Sequence, residues 1–403
     1  MFQKVISCAL SPNTEKDDVR LAWNTMFVPG IWRQGEAIGH VEGWFRDYFD
    51  VSSAACFNSG RSALFAILKA FGIGEGDEVL VQAFTCVAVP DAVLWTGARP
   101  EFVDIDETLN LDPTHIERHV TAKTKAIIVQ HTFGVPAQMD TMRKIASRHN
   151  LILIEDCAHS LGALYKGKKV GTLGDAAFFS FGRDKVISSV WGGAAIINPK
   201  FKAQNSKLKN HQKNLPIQTN FWIFQQLLHP IAFSAILKLY DVVIGKVFLL
   251  ILQRLRLLSI PVYPIEKTGG RPDDFPATLP NALAILAFHQ LQKLDRFNRQ
   301  RQEVARLYEE KFEGRHGSHS GAIYLRFPHI VKDAEMARKR ARRAGILLGN
   351  WYHNIIDPTG VDFARVGYRL GSCPNAEESA KHIINLPTRI TPGEARKVLE
   401  VVS

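Results

Sequence analysis

Residues 176–189 read AAFFSFGRDKVISS. Ala176, Ala177, Phe178, Phe179 and Phe181 surround one hydroxyl, Ser180, and read as a strand buried on both faces. The chain then turns abruptly to Arg183, Asp184 and Lys185. A charged triplet at the mouth of a buried strand is either an ordinary surface turn or a place where chemistry is done.

The surrounding sequence favours the second reading. Upstream, short apolar runs alternate with helical patterns: GRSALFAILKAFG (60–72, helix), DEVLVQAF (77–84, strand), CVAVPDAVLWTGA (86–98, helix), RPEFVDID (99–106, strand). A helix opening at Asp112 as N-cap follows, then KAIIVQHTF (125–133, strand), MDTMRKIASRHN (139–150, helix) and LILIEDCA (151–158, strand). GGAAIINP (192–199) completes the series. Such alternation implies parallel pairing with helices on both faces of the sheet. Ligands in these sheets bind beyond the C-terminal ends of the strands. Thr85, Asp156 and Lys185 all fall there.

With 403 residues the chain can build a large core and two domains, divided here as 1–270 and 271–403. The net charge of +11 favours anionic partners. Neither an aromatic-basic RNA-binding pattern nor zinc-finger spacing accompanies it, so nucleic acid is not expected. The five cysteines, Cys8, Cys56, Cys86, Cys157 and Cys373, form no CxxC pair. They suggest neither a disulfide framework nor a metal site, and they fit a reducing cytoplasm. The polar N-terminus does not read as a signal peptide.

An aldehyde cofactor such as pyridoxal 5'-phosphate (PLP) makes several demands at once. It needs an amine to hold the aldehyde, for which Lys185 is the candidate. A buried carboxylate must keep its ring nitrogen protonated, and Asp156 ends a strand. Its phosphate needs a helix N-terminus and hydroxyls, which NSGRSAL (58–64) and Ser180 can provide. Taken singly, each has a plain reading as cap, ion pair or surface residue. Their order and strand-end positions join them.

On these stretches the chain resembles the PLP-dependent sugar aminotransferases of the DegT–StrS family. The matching runs are FNSGRSAL, GIGEGDEVLVQAFT, GARPEFVDID, TKAIIVQHTFGVPAQMD, LILIEDCAHSLGALYKGKKVGTLGDAAFFSF and GGAAI, from about Cys56 to Ile197. The resemblance implies an α/β PLP-dependent transferase of fold type I. That fold has a mainly parallel central sheet flanked by helices and a smaller α/β C-terminal domain. It implies Lys185 as the cofactor lysine, Asp156 at the pyridine nitrogen, and His159 beside the ring oxygen. Ser180, Gly60 and Arg61 would lie in the phosphate cup. It also implies a homodimer and transfer of an amino group, typically from glutamate, to a keto sugar carried on a nucleotide, for polysaccharide or glycan synthesis. The alternatives are other sugar chemistry on the same fold, such as dehydration, or a non-catalytic, membrane-associated partner.

The chain departs from that family at four places. SFGRDK puts Gly182, Arg183 and Asp184 where relatives carry a different loop, and Arg183 is a candidate for a substrate anion or a surface ion pair. Arg61 stands for the usual threonine. Cys86 stands for an aromatic that stacks on the cofactor, with Phe84 or His159 as substitutes. RPDDFPATLPNA (271–282) replaces a glycine-tyrosine-asparagine motif that reaches the partner subunit. In GNWYHN (349–354), Trp351 and His353 are candidate substrate contacts from the small domain. NALAILAFHQLQKLDRFNRQRQEVARLYEEKF (281–312) reads as one long amphipathic helix.

Residues 215–264 are strongly apolar, and Asn214 to Leu237 lacks any charged side chain. The stretch reads as buried helices, as a membrane-surface patch with Trp222 and Tyr240 near the headgroups, or, least favoured, as a spanning helix. Its polar interruptions count against spanning. A cytoplasmic enzyme, peripheral to a membrane through this stretch, is the resulting expectation.

Overall fold

A computed structural model describes residues 5–239, 244–312 and 320–402. The central sheet has seven strands: β1 (Ala54–Phe57), β2 (Glu78–Gln82), β3 (Arg99–Val103), β4 (Thr124–Gln130), β5 (Ile152–Asp156), β6 (Ala176–Ser180) and β7 (Gly193–Ile197). Their spatial order is β1-β7-β6-β5-β4-β2-β3. Strands β6, β5, β4, β2 and β3 are parallel, as the alternating pattern required. β7 runs antiparallel to both β6 and β1. The cause is local: the loop 181–192 between β6 and β7 contains no helix, so the chain doubles back instead of crossing over.

Period-two alternation sorts each strand between two cores. On β1, Ala54 and Cys56 join one apolar cluster, while Ala55 and Phe57 join the other. On β6, Ala177 and Phe179 face the first, Ala176 and Phe178 the second. The same parity aims Ser180 to the side of Phe178, and Asp156 to the side of Ile154.

Helix α1 (Gly60–Ala70) starts at its N-cap Ser59, whose Oγ accepts from the Ser62 amide. Its first turn lies almost against the sheet. A Cβ built on Gly193 would come within 2.6 Å of the Gly60 nitrogen, and one on Gly60 within 2.9 Å of the Ser180 Cβ. Glycine at both positions is what allows the helix end to approach the strand ends. α2 (Ala88–Leu94) follows β2. The N-cap expected at Asp112 is present, its carboxylate accepting from Thr114.

The apolar stretch folds as two helices, α3 (Asn220–Lys238) and α4 (Ile244–Arg254). Trp222, which the membrane-surface reading placed near headgroups, is buried in the main core, its indole N–H 3.4 Å from the Tyr263 hydroxyl. Tyr240 lies outside the described residues. Among the described residues no helix is long and apolar enough to cross a membrane.

The single helix expected over 281–312 is two: α5 (Asn281–Leu291) and α6 (Leu294–Lys311). The break falls at Gln292–Lys293, where the Lys293 ammonium meets Asp17 at 2.7 Å and Asp18 at 3.0 Å. α5 packs on the core that also covers the sheet. The expected division at 270–271 thus falls in the coil just ahead of a helix that packs on the large sheet. A third core gathers Val304, Tyr308, Phe327, Ile384, Leu386 and Val398 around the antiparallel pair β8 (Phe327–Ile330) and β9 (Ile383–Leu386).

Candidate active site

Beyond the ends of β4, β5 and β6 lies a cavity of about 480 Å³, within the size range of small-molecule sites. Gln130, Asp156 and Ser180 line it from the strand ends, Ser59 and Gly60 from the start of α1, and Lys185 from the loop after β6. The sequence-derived set of Gly60, Arg61, Cys86, Asp156, His159, Ser180, Arg183, Lys185 and Trp351 all line this one space. His353 does not: it turns away to pair with Asp357 at 2.9 Å and to bond Thr359 at 2.7 Å.

The Lys185 side chain is held among rings. Its Nζ lies 2.9 Å from His159 Nε2 and 4.6 Å from the centre of Trp351. Burial lowers its pKa below the usual 10.5, and burial, with the Lys185 charge beside it, holds His159 well below the usual imidazole range. His159 Nδ1 accepts from the Phe133 amide at 3.3 Å. A neutral imidazole held this way carries its proton on Nε2, which faces the Lys185 amine and, at 3.4 Å, the Tyr352 hydroxyl. The backbone beyond Lys185 is clamped. Asn13 donates to the Lys185 carbonyl at 2.5 Å, and the fully buried Arg301 donates to the Val186 carbonyl at 2.8 Å and to Asn13 at 2.7 Å.

Asp156 is buried, accepts from the Ala158 amide at 2.9 Å, and is pushed up to about 6 by burial. A cation placed beside it would restore its charge. His159 stacks between Phe133, at 5.9 Å, and Trp351, at 5.4 Å. Of the two substitutes considered for a ring at Cys86, His159 lines the cavity, whereas Phe84 is fully buried and is not part of its wall. The Cys86 thiol is raised by burial, with Lys185 and Arg61 acting in the opposite direction.

The two unusual arginines are both bound to one segment. Arg61 forms a buried ion pair with Glu266 and donates to the Pro261 carbonyl at 2.8 Å. Glu266 in turn accepts from the Tyr263 amide at 2.7 Å. Arg183 donates to the Ser259 carbonyl and hydroxyl, both at 2.9 Å. Its guanidinium thus bonds Ser259 rather than Asp184, at the wall of the cavity. Asp184 accepts from the Ser11 amide at 3.3 Å. Ile260, Pro261, Val262 and Lys267 complete that wall. Sequence reasoning missed Glu266, Ser259, Trp191 and Arg301, because their partners lie far away along the chain and no local motif marks them.

The donor set fits pyridoxal phosphate. A free amine faces the cavity, a buried carboxylate ends β5, and a glycine-opened helix N-terminus with Ser59 and Ser180 offers a phosphate cradle.

A sequence profile of the DegT/DnrJ/EryC1/StrS aminotransferase family matches residues 13–224 and 275–403, passing over 225–274. The GDP-perosamine synthase of Caulobacter vibrioides is 40% identical over 199 residues, 49% of this chain and 53% of that protein. The match thus spans about half the length of that curated relative. The spore coat polysaccharide biosynthesis protein SpsC of Bacillus subtilis is 27% identical over 397 residues, 93% of this chain and 90% of its own. The crystal structure of NtdA from Bacillus subtilis with bound cofactor PMP matches with a TM-score of 0.72 at 21% identity, over 100% of this chain and 85% of that one. That last likeness is one of fold.

Proposed function

The chain belongs to the DegT/DnrJ/EryC1/StrS aminotransferase family, and from that premise we propose that it is a PLP-dependent aminotransferase. It moves an amino group from glutamate to a keto sugar carried on a nucleotide, making an amino sugar for a polysaccharide or related glycan. The observation that carries this reading is the buried Lys185 amine, 2.9 Å from His159 in a cavity that also holds Asp156 and the N-terminus of α1.

Bound there, PLP supplies an electron sink for the carbon that gains or loses nitrogen. The protein's own groups do the rest. Asp156 holds positive charge at the ring nitrogen. Ser59, Ser180 and the Gly60 amide receive the phosphate. Lys185, as a neutral amine, would carry the proton to and from the substrate carbon. His159, donating through Nε2, keeps that amine oriented. Rings at Trp351, Tyr352 and Trp191 restrict water along the walls.

The enzyme works as a homodimer in the cytoplasm, at the surface of a membrane. The five free cysteines suit a reducing compartment. The likeness to a GDP-perosamine synthase and to a spore coat polysaccharide biosynthesis protein supports the substrate class.

The test uses purified protein with PLP. Visible absorbance should appear, and borohydride should remove it while leaving the cofactor on the peptide that contains Lys185. Glutamate should convert the cofactor to its amino form, and nucleotide keto sugars should convert it back. Lys185→Ala should lose turnover by at least about a thousandfold. A wild-type protein that stays colourless with added PLP, or an active Lys185→Ala variant, would overturn the reading.

A further inference from the structure

We propose that the outer face of α4 adsorbs to an anionic lipid bilayer and brings the mouth of the Lys185 cavity to the headgroup layer. The inner side of α4 is already occupied. Leu252 is buried with Phe233 and Ile236 of α3, and Leu258, just beyond the helix, joins them. The outer side is apolar and open. Val247, Leu250 and Ile251 recur at three- and four-residue spacing, with Phe248 beside them and Leu255 just past the helix end. Leu250 is 64% and Leu255 61% exposed, far above what apolar side chains on a covered helix retain.

Charge selects the partner. Arg254 and Arg256 are exposed beside this face, and residues 242–265 contain no Asp or Glu. An apolar row edged by cations matches a surface of negative headgroups over acyl chains. A second copy of the chain is a poor occupant. Self-pairing would bring the same arginines together with no acid in the stretch to receive them. The face also falls wholly within 225–274, the stretch that the family profile passes over. Spanning is excluded for the described helices by their length and polarity. The link to the cavity is direct. Six residues beyond Arg254, Ile260 is 40% exposed and also lines the cavity, followed by Pro261 and Val262.

The inference does not depend on the transamination reading, because its readout is adsorption alone. The full chain, loaded with PLP, is floated with vesicles of phosphatidylcholine containing about one-third phosphatidylglycerol, and with pure phosphatidylcholine. Binding to the anionic vesicles at low salt should exceed binding to neutral ones about tenfold and fall in high salt. Leu250→Glu with Leu255→Glu should abolish flotation without changing the melting temperature. Arg254→Gln with Arg256→Gln should remove the preference for anionic lipid. Equal recovery of wild type in the unbound fraction on both vesicles overturns the proposal, as does undiminished flotation of the Leu250→Glu, Leu255→Glu variant. If that variant instead shifts the oligomeric state in sedimentation while wild type ignores vesicles, the face belongs to a second copy and the proposal fails.

Discussion

Lys185 and His159 share one hydrogen bond whose direction is set by a third group, the Phe133 amide. Because that amide occupies Nδ1, the imidazole can only donate toward the lysine, and an ammonium there would face an N–H. Burial acts in the same sense, lowering the Lys185 pKa. The sign is clear: a lysine with a depressed pKa loses its proton at lower pH than surface lysines do. In the apo-protein, reductive methylation of Lys185 should therefore have a pH midpoint below 10.5. Peptide mass mapping across a pH series gives that midpoint, and a profile matching the surface lysines would contradict the tautomer. None of this direction was legible in the sequence. It announced a lysine after a buried strand and a histidine three residues after Asp156. Which nitrogen carries the proton depends on an amide in a distant loop.

The segment that walls the cavity, residues 259–267, is held by side chains on two other elements: Arg61 at the start of α1 and Arg183 after β6. Glu266 is fully buried, so its carboxylate and the Arg61 guanidinium depend on each other for charge compensation. Glu266→Ala should destabilise the protein by about 3–5 kcal/mol, the usual loss when one partner of a buried pair is removed. Glu266→Gln, which keeps an acceptor, should cost less. Thermal or urea unfolding of the two variants measures this, and PLP titration should weaken in parallel as Arg61 swings free. An alanine variant as stable as wild type would mean that water replaces the pair. At this scale the sequence was uneven as a guide. Strands and caps followed from period-two runs and from Ser59 and Asp112. The break between α5 and α6 did not, because it is imposed by Lys293 meeting acids at the other end of the chain.

For the molecule as a whole, two buried acids make stability depend on pH. Asp91 on α2 is fully buried, neither carboxylate oxygen has a hydrogen-bond partner among the described residues, and burial pushes its pKa up to about 8. Asp156 is raised to about 6. An acid whose folded pKa exceeds its unfolded value keeps its proton longer when folded. The contribution of each such acid to stability is thus most favourable below about pH 4, declines as pH rises toward its folded pKa, and is flat beyond it. Asp91→Asn removes the Asp91 share of that dependence. Its gain in melting temperature should grow from pH 5 to about 8, reach a few degrees, and level off. Melting curves across that range check it, and a constant offset would refute the assignment. Bound PLP should lessen the Asp156 share by placing a cation beside it. The broad architecture was readable because alternating strands and helices leave little choice of topology. The apolar stretch was not, since packing and surface readings draw on the same residues, and the fold buries Trp222 while leaving the outer side chains of α4 exposed.

The pairing of Arg61 with Glu266 has a consequence for descent. Glu266 lies in the stretch that the family profile passes over, whereas Arg61 lies within the matched framework. Losing Glu266 alone would strand a guanidinium inside the protein, and gaining the arginine alone would do the same. The two characters should therefore be inherited together, so that arginine at this position marks chains that carry the acid of this wall. A family member with the arginine and no acid facing it would break that rule.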